Sequence, residues 1–330
     1  MTDLNKAILE INKKFGENTI GKITDMPTVK TERVSSGSPF LNWAIGSGWP
    51  LGRTVELYGP YSSGKSLIAL RTVATAQKQG LKCVYLDSEN AFDPIFASRI
   101  GVDINTLVIS QISAGEEVFD IVDALLESDV AIIVIDSVAS LVPKYELEES
   151  IEKQTMALQA RLMSKALRKI TAKAAKNKTL IIFVNQIREK LNSYGNPEIT
   201  SGGRALGFYA SLRVEVRRGE WLKDEKKIIG QQVKFKVTKS KVCSPYRDGY
   251  FMFYHPNPNT PDAELFDRAD ELVSMLLLQG KINRRGAYYD ILEKTFRGRE
   301  ELEREVRTNK DFEKQLLNLM KGYKDVKRPE

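Results

Sequence analysis

One histidine, His255, is all that the 330 residues contain. A histidine-based catalytic triad and a histidine-rich metal site are thereby excluded. Cysteine is nearly absent too: Cys83 and Cys243 stand far apart, with no His or Cys beside either. That spacing excludes a disulfide framework and a zinc module, and it suits a reducing cytoplasm. No apolar run approaches the roughly 18 residues of a membrane span, and the N-terminus has no signal-peptide core, so a soluble, cytoplasmic protein is expected. Internal repeats and low-complexity segments are missing as well. Acidic residues fall short of basic ones, 43 against 50, for a formal charge of +7 and a pI near 9.1. The excess points to an anionic partner, with a solvated basic surface as the plainer alternative.

What the chain does have is Gly59-Pro60-Tyr61-Ser62-Ser63-Gly64-Lys65-Ser66. This is a complete G-x-x-x-x-G-K-[ST] phosphate-binding pattern. The apolar run Thr54–Tyr58 before it predicts a buried strand, and Leu67–Gln79 after it predicts a helix. In that context loop amides and the positive end of the helix cradle phosphate oxygens. Lys65 is placed to reach the β- and γ-phosphates, and the Ser66 hydroxyl to ligate Mg²⁺. A nucleoside triphosphate is the expected ligand.

Three parts are predicted. Residues 1–30 hold a short amphipathic helix, with Leu4, Ile8, Ile11 and Phe15 at helical spacing and Gly16 ending it. Too small for a core of its own, its stripe is expected to pack on its own domain or on a neighbouring copy. Residues 31–262 alternate strand-like and helical runs, the α/β signature. Near-continuous Val, Ile and Leu in Lys82–Asp87, Ala131–Asp136 and Thr179–Asn185 implies a mostly parallel sheet buried on both faces. The segment His255–Asn259 with Pro261 reads as a linker. Residues 263–330 then form a small, mostly helical domain, with helices over Glu264–Gln279 and Glu300–Tyr323.

The remaining catalytic parts follow in order. Asp136 ends an apolar strand and is the expected second phosphate-site carboxylate, holding Mg²⁺ directly or through its water. Glu89, just past the strand ending at Asp87, can orient and deprotonate an attacking water. Gln186, at the end of the strand Leu180–Asn185, can sense a γ-phosphate and pass its presence to the next loop.

Together these residues resemble the bacterial RecA-type homologous recombinases, from the N-terminal helix to about residue 290. The resemblance is carried by Gly59–Ser66, Leu86–Pro94, Val134–Ala139, Phe183–Arg188, Gly195–Glu198, Ser201–Gly203 and Val237–Lys241. It implies a P-loop ATPase core that forms a helical filament on single-stranded DNA and pairs it with homologous duplex DNA. It further implies Glu89 as the catalytic glutamate, Asp93 and Phe96 as adenine contacts, and Phe208 at a subunit interface. Lys239 and Lys241 match lysines that reach the γ-phosphate of the adjacent subunit, and complete the catalytic set with Lys65 and Gln186 of the subunit that holds the nucleotide. Two DNA loops are implied, at about 143–156 and 187–201. Arg161, Ser164 and Arg168 would contact phosphates, and Arg188, Gly202, Gly203 and Arg204 would add charge and amides. Met156 and Leu191 match apolar wedges between base triplets. Binding would be largely sequence-independent and salt-sensitive.

Departures from the family pattern are Tyr61 for Glu, Asn90 for His, Phe96 for Tyr, Arg204 for Asn and Gly207 for Lys. The second loop is one residue shorter. The end, Lys321–Glu330, is basic where bacterial relatives usually carry an acidic tail that competes with DNA. Readier loading on DNA is expected, and a compact form of this kind fits a phage or mobile element. A ring helicase with the same core, or an ATP-gated filament that only coats single strands, are the alternatives. The Asn196-Pro197-Glu198 and Gly202-Gly203 segments speak against the first; Glu89 and Asp136 speak against the second.

Overall fold

The structure, a computed structural model, describes residues 3–17, 19–22, 24, 31–145, 156–189, 198–257 and 264–319. The chain forms two compact units, Met1–Glu32 and Arg33–Glu330. In the first, α1 (Asp3–Phe15) has Asp3 in its first turn and Lys13 and Lys14 in its last, which complements the helix dipole. Gly16, at φ +108°, follows it. None of its residues is buried, and Leu4, Leu9 and Phe15 lie open.

The second unit starts with β1 (Arg33–Val34), α2 (Pro39–Ala44) and β2 (Trp49–Pro50), and β3 (Thr54–Gly59) then leads through the glycine-rich loop into α3 (Lys65–Gln77). Next come β4 (Cys83–Asp87), α4 (Pro94–Ile100), β5 (Val108–Ser110), α5 (Gly115–Leu125) and β6 (Ile132–Asp136). A 3₁₀ turn (Val138–Ser140), α6 (Met156–Asn177), β7 (Leu180–Glu189), β8 (Glu198–Thr200) and α7 (Ala205–Tyr209) follow. The core closes with β9 (Leu212–Asp224), β10 (Lys227–Ser240) and β11 (Asp248–Tyr254). Among the described residues one nine-stranded sheet runs β11-β10-β9-β3-β7-β6-β4-β5, with β8 paired to β7. From β9 to β5 the strands are parallel. The pairs β9–β10, β10–β11 and β7–β8 are antiparallel.

Alternation explains the uninterrupted apolar strands, because successive side chains enter opposite layers. Tyr85, Val134 and Ile182 pack on the side of α3, with Ile68 and Val73. Leu86, Ile135 and Phe183 pack on the other side, with Val122, Met163 and Leu167 of α5 and α6.

Beyond residue 263 lie α8 (Arg268–Leu278), β12 (Asn283–Arg285), β13 (Tyr288–Ile291), β14 (Lys294–Arg297), α9 (Arg299–Thr308) and α10 (Lys310–Asn318). The segment differs from the helical expectation in two ways. A three-stranded antiparallel sheet, β12-β13-β14, stands between the helices. Of the long helix expected over 300–323, the part up to residue 319 is two helices, broken at Asn309, whose side chain accepts from Phe312 N and caps the second; residues 320–323 lie outside the described residues. Its apolar residues, Leu272, Phe296 and Phe312, join the same core cluster as Phe40 and Phe251.

A buried ion pair crosses this contact. Arg71 of α3 meets Glu271 of α8 at 2.7 Å, both essentially inaccessible. The guanidinium also lies 4.0 and 5.0 Å from the ring centroids of Phe266 and Phe251, and Ser38 Oγ donates to Glu271. Removing one partner of such a pair strands the other charge. Glu271→Leu should therefore lower the unfolding free energy by about 3–5 kcal/mol. Arg71→Met with Glu271→Leu should recover much of that loss, and urea denaturation of both variants measures the difference.

Candidate active site and nucleic-acid interface

Parallel strands deliver the site. Gly59 pairs with Gln186, and Asp136 is flanked by Asp87 and Val184, so the carboxyl ends of β3, β7, β6 and β4 lie side by side. This edge is where α/β sheets bind ligands.

At the first of these ends the backbone is crowded. A β-carbon on Gly59 would stand 1.9 Å from the Val216 carbonyl oxygen. Gly64 caps α3 at φ +99°, with Val233 methyls 3.0 Å from where its β-carbon would be. Both positions therefore require glycine. Pro60 is half-buried, Tyr61 and Ser62 are exposed, and Ser63 is buried with its hydroxyl unpartnered. An orphaned hydroxyl under a helix N-terminus fits an anion in this cradle. The Lys65 ammonium is buried and donates to the carbonyl oxygens of Gly59 (3.1 Å) and Pro60 (2.6 Å). Burial pulls its pKa down, while Asp136 and Glu89 pull it up. A cavity of about 400 Å³ is lined by Ser62–Leu67 together with Phe96, Phe253 and His255. The lone histidine thus lines the same cavity as the phosphate loop, which its surroundings in the sequence did not signal.

Asp136 lies beside the cradle. Burial raises its pKa, opposed by hydrogen bonds from Ser66 and Tyr85. The Tyr85 hydroxyl sits 2.6 Å from Asp136 Oδ2. One carboxylate and one hydroxyl suit Mg²⁺ that arrives on a nucleotide and keeps phosphate and water among its ligands. No cluster of three or more His, Cys, Asp or Glu side chains that could hold a metal ion exists among the described residues.

Glu89 is exposed, and Oε1 accepts from Gln186 Nε2 at 2.9 Å and from Ser137 Oγ. The expected base and the expected phosphate sensor are therefore in direct contact. Ser137 lies inside the Val134–Ala139 segment but had no role read for it, and Tyr85 lies outside every segment that carries the resemblance; both become visible as partners only in the folded chain. Asp93 caps α4, accepting from Ile95 N (2.8 Å) and Phe96 N (3.1 Å), which positions the Phe96 ring.

A polar chain leads away from Gln186. Its carbonyl accepts from Ser201 N at 3.3 Å. The adjacent Asn185 Nδ2 donates to the Ser201 carbonyl (3.0 Å) and to buried Glu56 (2.8 Å), whose other oxygen meets Arg213 Nε at 2.5 Å. Just past Ser201, Gly202 and Gly203 have φ +77° and +74°, and β-carbons there would crowd Val138 at 3.0 Å and Ala160 at 2.9 Å. The double glycine thus lets α6 lie against the stem of the second loop.

On α6 itself, Met163, Leu167 and Ile170 are buried, while Arg161 and Arg168 are exposed and Ser164 is half-buried between them. Arg188 and Arg204 are also exposed. Among the described residues none of these four arginines pairs with a carboxylate. Residues 146–155 and 190–197, including Leu191, lie outside the described residues; Met156 is described only as the first residue of α6. Lys239 Nζ donates to the carbonyls of Gly207 (2.6 Å) and Phe208 (2.9 Å), and Lys241 Nζ to that of Phe208 (3.3 Å). Neither lysine lines the cavity at Ser62–Leu67. Phe208 stands 68% exposed beside them.

Gly59→Ala should abolish nucleotide binding and destabilise the fold, because the clash is with backbone. Gly80→Ala, at φ +74° with open space around it, should cost only about 1–2 kcal/mol and leave binding intact. Thermal unfolding with and without nucleotide separates the two.

The RecA N-terminal domain family matches residues 2–257. Protein RecA of Bacillus thuringiensis (strain Al Hakam) is 42% identical over 327 residues, covering 98% of this chain and 93% of that protein. Protein RecA of Bacillus licheniformis is 42% identical over 313 residues, 94% of this chain and 88% of that protein. Protein RecA of Bacillus mycoides (strain KBAB4) is 41% identical over 327 residues, with 98% and 93% covered. Family match, near-complete coverage and the geometry of the strand ends agree: the chain belongs to the RecA family.

Proposed function

We propose that this chain, a DNA-dependent ATPase and recombinase of the RecA family, hydrolyses ATP between adjacent copies of itself in a filament on single-stranded DNA. The observation that carries the proposal is the meeting of Glu89 with Gln186 at 2.9 Å beside the phosphate loop. Glu89 takes the proton of a water that attacks the γ-phosphorus, the bond to the β-phosphate oxygen breaks, and ADP and phosphate leave. Loop amides and Lys65 offset phosphate charge. Ser66 and Asp136 would hold Mg²⁺, which supplies further charge neutralisation on the phosphate oxygens.

Gln186 hydrogen-bonds either Glu89 or the γ-phosphate, and its backbone bond to Ser201 ties that choice to the second DNA loop. Lys239 and Lys241 lie off the chain's own cavity, which supports their action on a neighbour's γ-phosphate as cations supplied in trans. Unburied α1 and exposed Phe208 supply surface for that neighbour. The arginines of α6, β7 and the double-glycine turn, which meet no carboxylate among the described residues, supply a row of cations for DNA phosphates. Homologous duplex DNA is the second substrate, recognised through base pairing with the bound strand. No described helix is long and apolar enough to cross a membrane, and we place the reaction in the cytoplasm.

ATP turnover should rise with single-stranded DNA, and DNA affinity should fall linearly on log–log axes as salt increases. Turnover indifferent to DNA would remove the two loops from the reaction. Glu89→Gln should keep ATP and DNA binding while slowing turnover about 10²–10⁴-fold. Lys65→Ala should lose nucleotide-dependent filaments, read by light scattering and electron microscopy.

A further inference from the structure

Part of the cavity wall comes from the β9–β10 hairpin, through Trp221 and Gln231. These two are a cross-strand pair, and Gln231 pairs in turn with Phe253 of β11. Opposed residues in antiparallel strands share a face, so the three side chains form one row. Val233, two residues further along β10 and on the same face, is the residue that crowds Gly64. The row therefore lies one step past the phosphate loop. On its far side Phe253 meets Phe96 edge to face, with centroids 6.2 Å apart.

Trp221 reaches this face because of an irregularity in register. Between the pairs Val233–Arg218 and Gln231–Trp221, β9 carries two residues where β10 carries one, a bulge that re-aims the side chain after it. The indole is 39% exposed and has the Arg218 guanidinium 4.4 Å from its centroid. Gln231 is only 8% exposed, and among the described residues its carboxamide has no hydrogen-bond partner. A carboxamide that lines a ligand cavity and has no protein partner can be completed by what enters.

We propose that Gln231 and Trp221 form the sugar wall of the nucleotide site. The Gln231 carboxamide, both donor and acceptor, hydrogen-bonds the ribose hydroxyls, and the indole covers the carbon face of the ring. The order along the cavity is then phosphates on Ser62–Ser66, ribose on the Trp221–Gln231 pair and base beside Phe96. This assignment rests on the loop's role as the triphosphate site.

The test is direct binding of ATP, 2′,3′-dideoxy-ATP and inorganic tripolyphosphate to the full chain and to Gln231→Leu, Trp221→Phe and Lys65→Ala. Wild type should bind ATP about tenfold tighter than the dideoxy analogue, and Gln231→Leu should bring that ratio to about one without changing tripolyphosphate affinity. ATP, but not tripolyphosphate, should quench tryptophan emission, and Trp221→Phe should remove the quench. A ratio unchanged in Gln231→Leu, or a quench that survives Trp221→Phe, overturns the proposal. So does a wild-type ratio of one, which would move the carboxamide to the base. If instead the loop is not the triphosphate site, Lys65→Ala binds tripolyphosphate like wild type, whatever the sugar ratios.

Discussion

Parallel strands buried on both faces must all present their carboxyl ends at one edge, and the rest of this molecule is arranged around that edge. The register leaves little freedom. Once Thr54 pairs with Ile181, Cys83 with Ile132 and Ile132 with Leu180, the ends at Gly59, Gln186, Asp136 and Asp87 lie side by side, whatever the intervening helices do. The chemistry then needs only short excursions: two residues past Asp87 give Glu89, and one past Asp136 gives Ser137. Burial on both faces is also what makes the edge electrostatically sensitive, since Lys65 and Asp136 are both shifted toward their neutral forms by desolvation. A negatively charged ligand favours the ammonium form of Lys65, and a divalent cation favours the ionised form of Asp136.

The same edge couples the site to the stem of the proposed second DNA loop. Glu56 lies in the middle of β3, fully buried, yet its two oxygens are divided between Asn185 of β7 and Arg213 of β9. Asn185 spends its remaining hydrogen on Ser201. A buried polar network of this kind tolerates few alternatives, because each member left unpaired is costly. Its position fixes the far stem of the second loop to the strand that carries Gln186, and the double glycine then fixes that stem to α6.

Much of this was legible in the sequence, for identifiable reasons. The phosphate loop, the strand ending at Asp136 and the strand before Glu89 announced themselves through runs long enough to outweigh local ambiguity. Cys83–Asp87 and Ile132–Asp136 fall within a residue of where composition put them. What was not legible depended on partners distant in sequence. Tyr85 looks like one more apolar strand residue until its hydroxyl is seen on Asp136. His255 looks like part of a proline-rich linker until the β11 end is folded beside the loop. The strands β12, β13 and β14 are three or four residues each, β12 and β14 rich in arginine and lysine, with only Tyr289, Ile291 and Phe296 turned inward. No periodicity that short rises above background. The break at Asn309 is a capping event, and the charged residues around it read equally well as one continuous helix.

Lys239 and Lys241 carry a last consequence. Their ammonium groups are already fixed on the carbonyls that end α7, a favourable place for positive charge. Part of the rotamer freedom of these two four-carbon chains is thus given up before any anion approaches. That loss, below the roughly 1.5–2 kcal/mol of a fully buried lysine side chain, is borne when the subunit folds. An encounter that draws on these cations starts from an ordered pair and exchanges one set of oxygen acceptors for another.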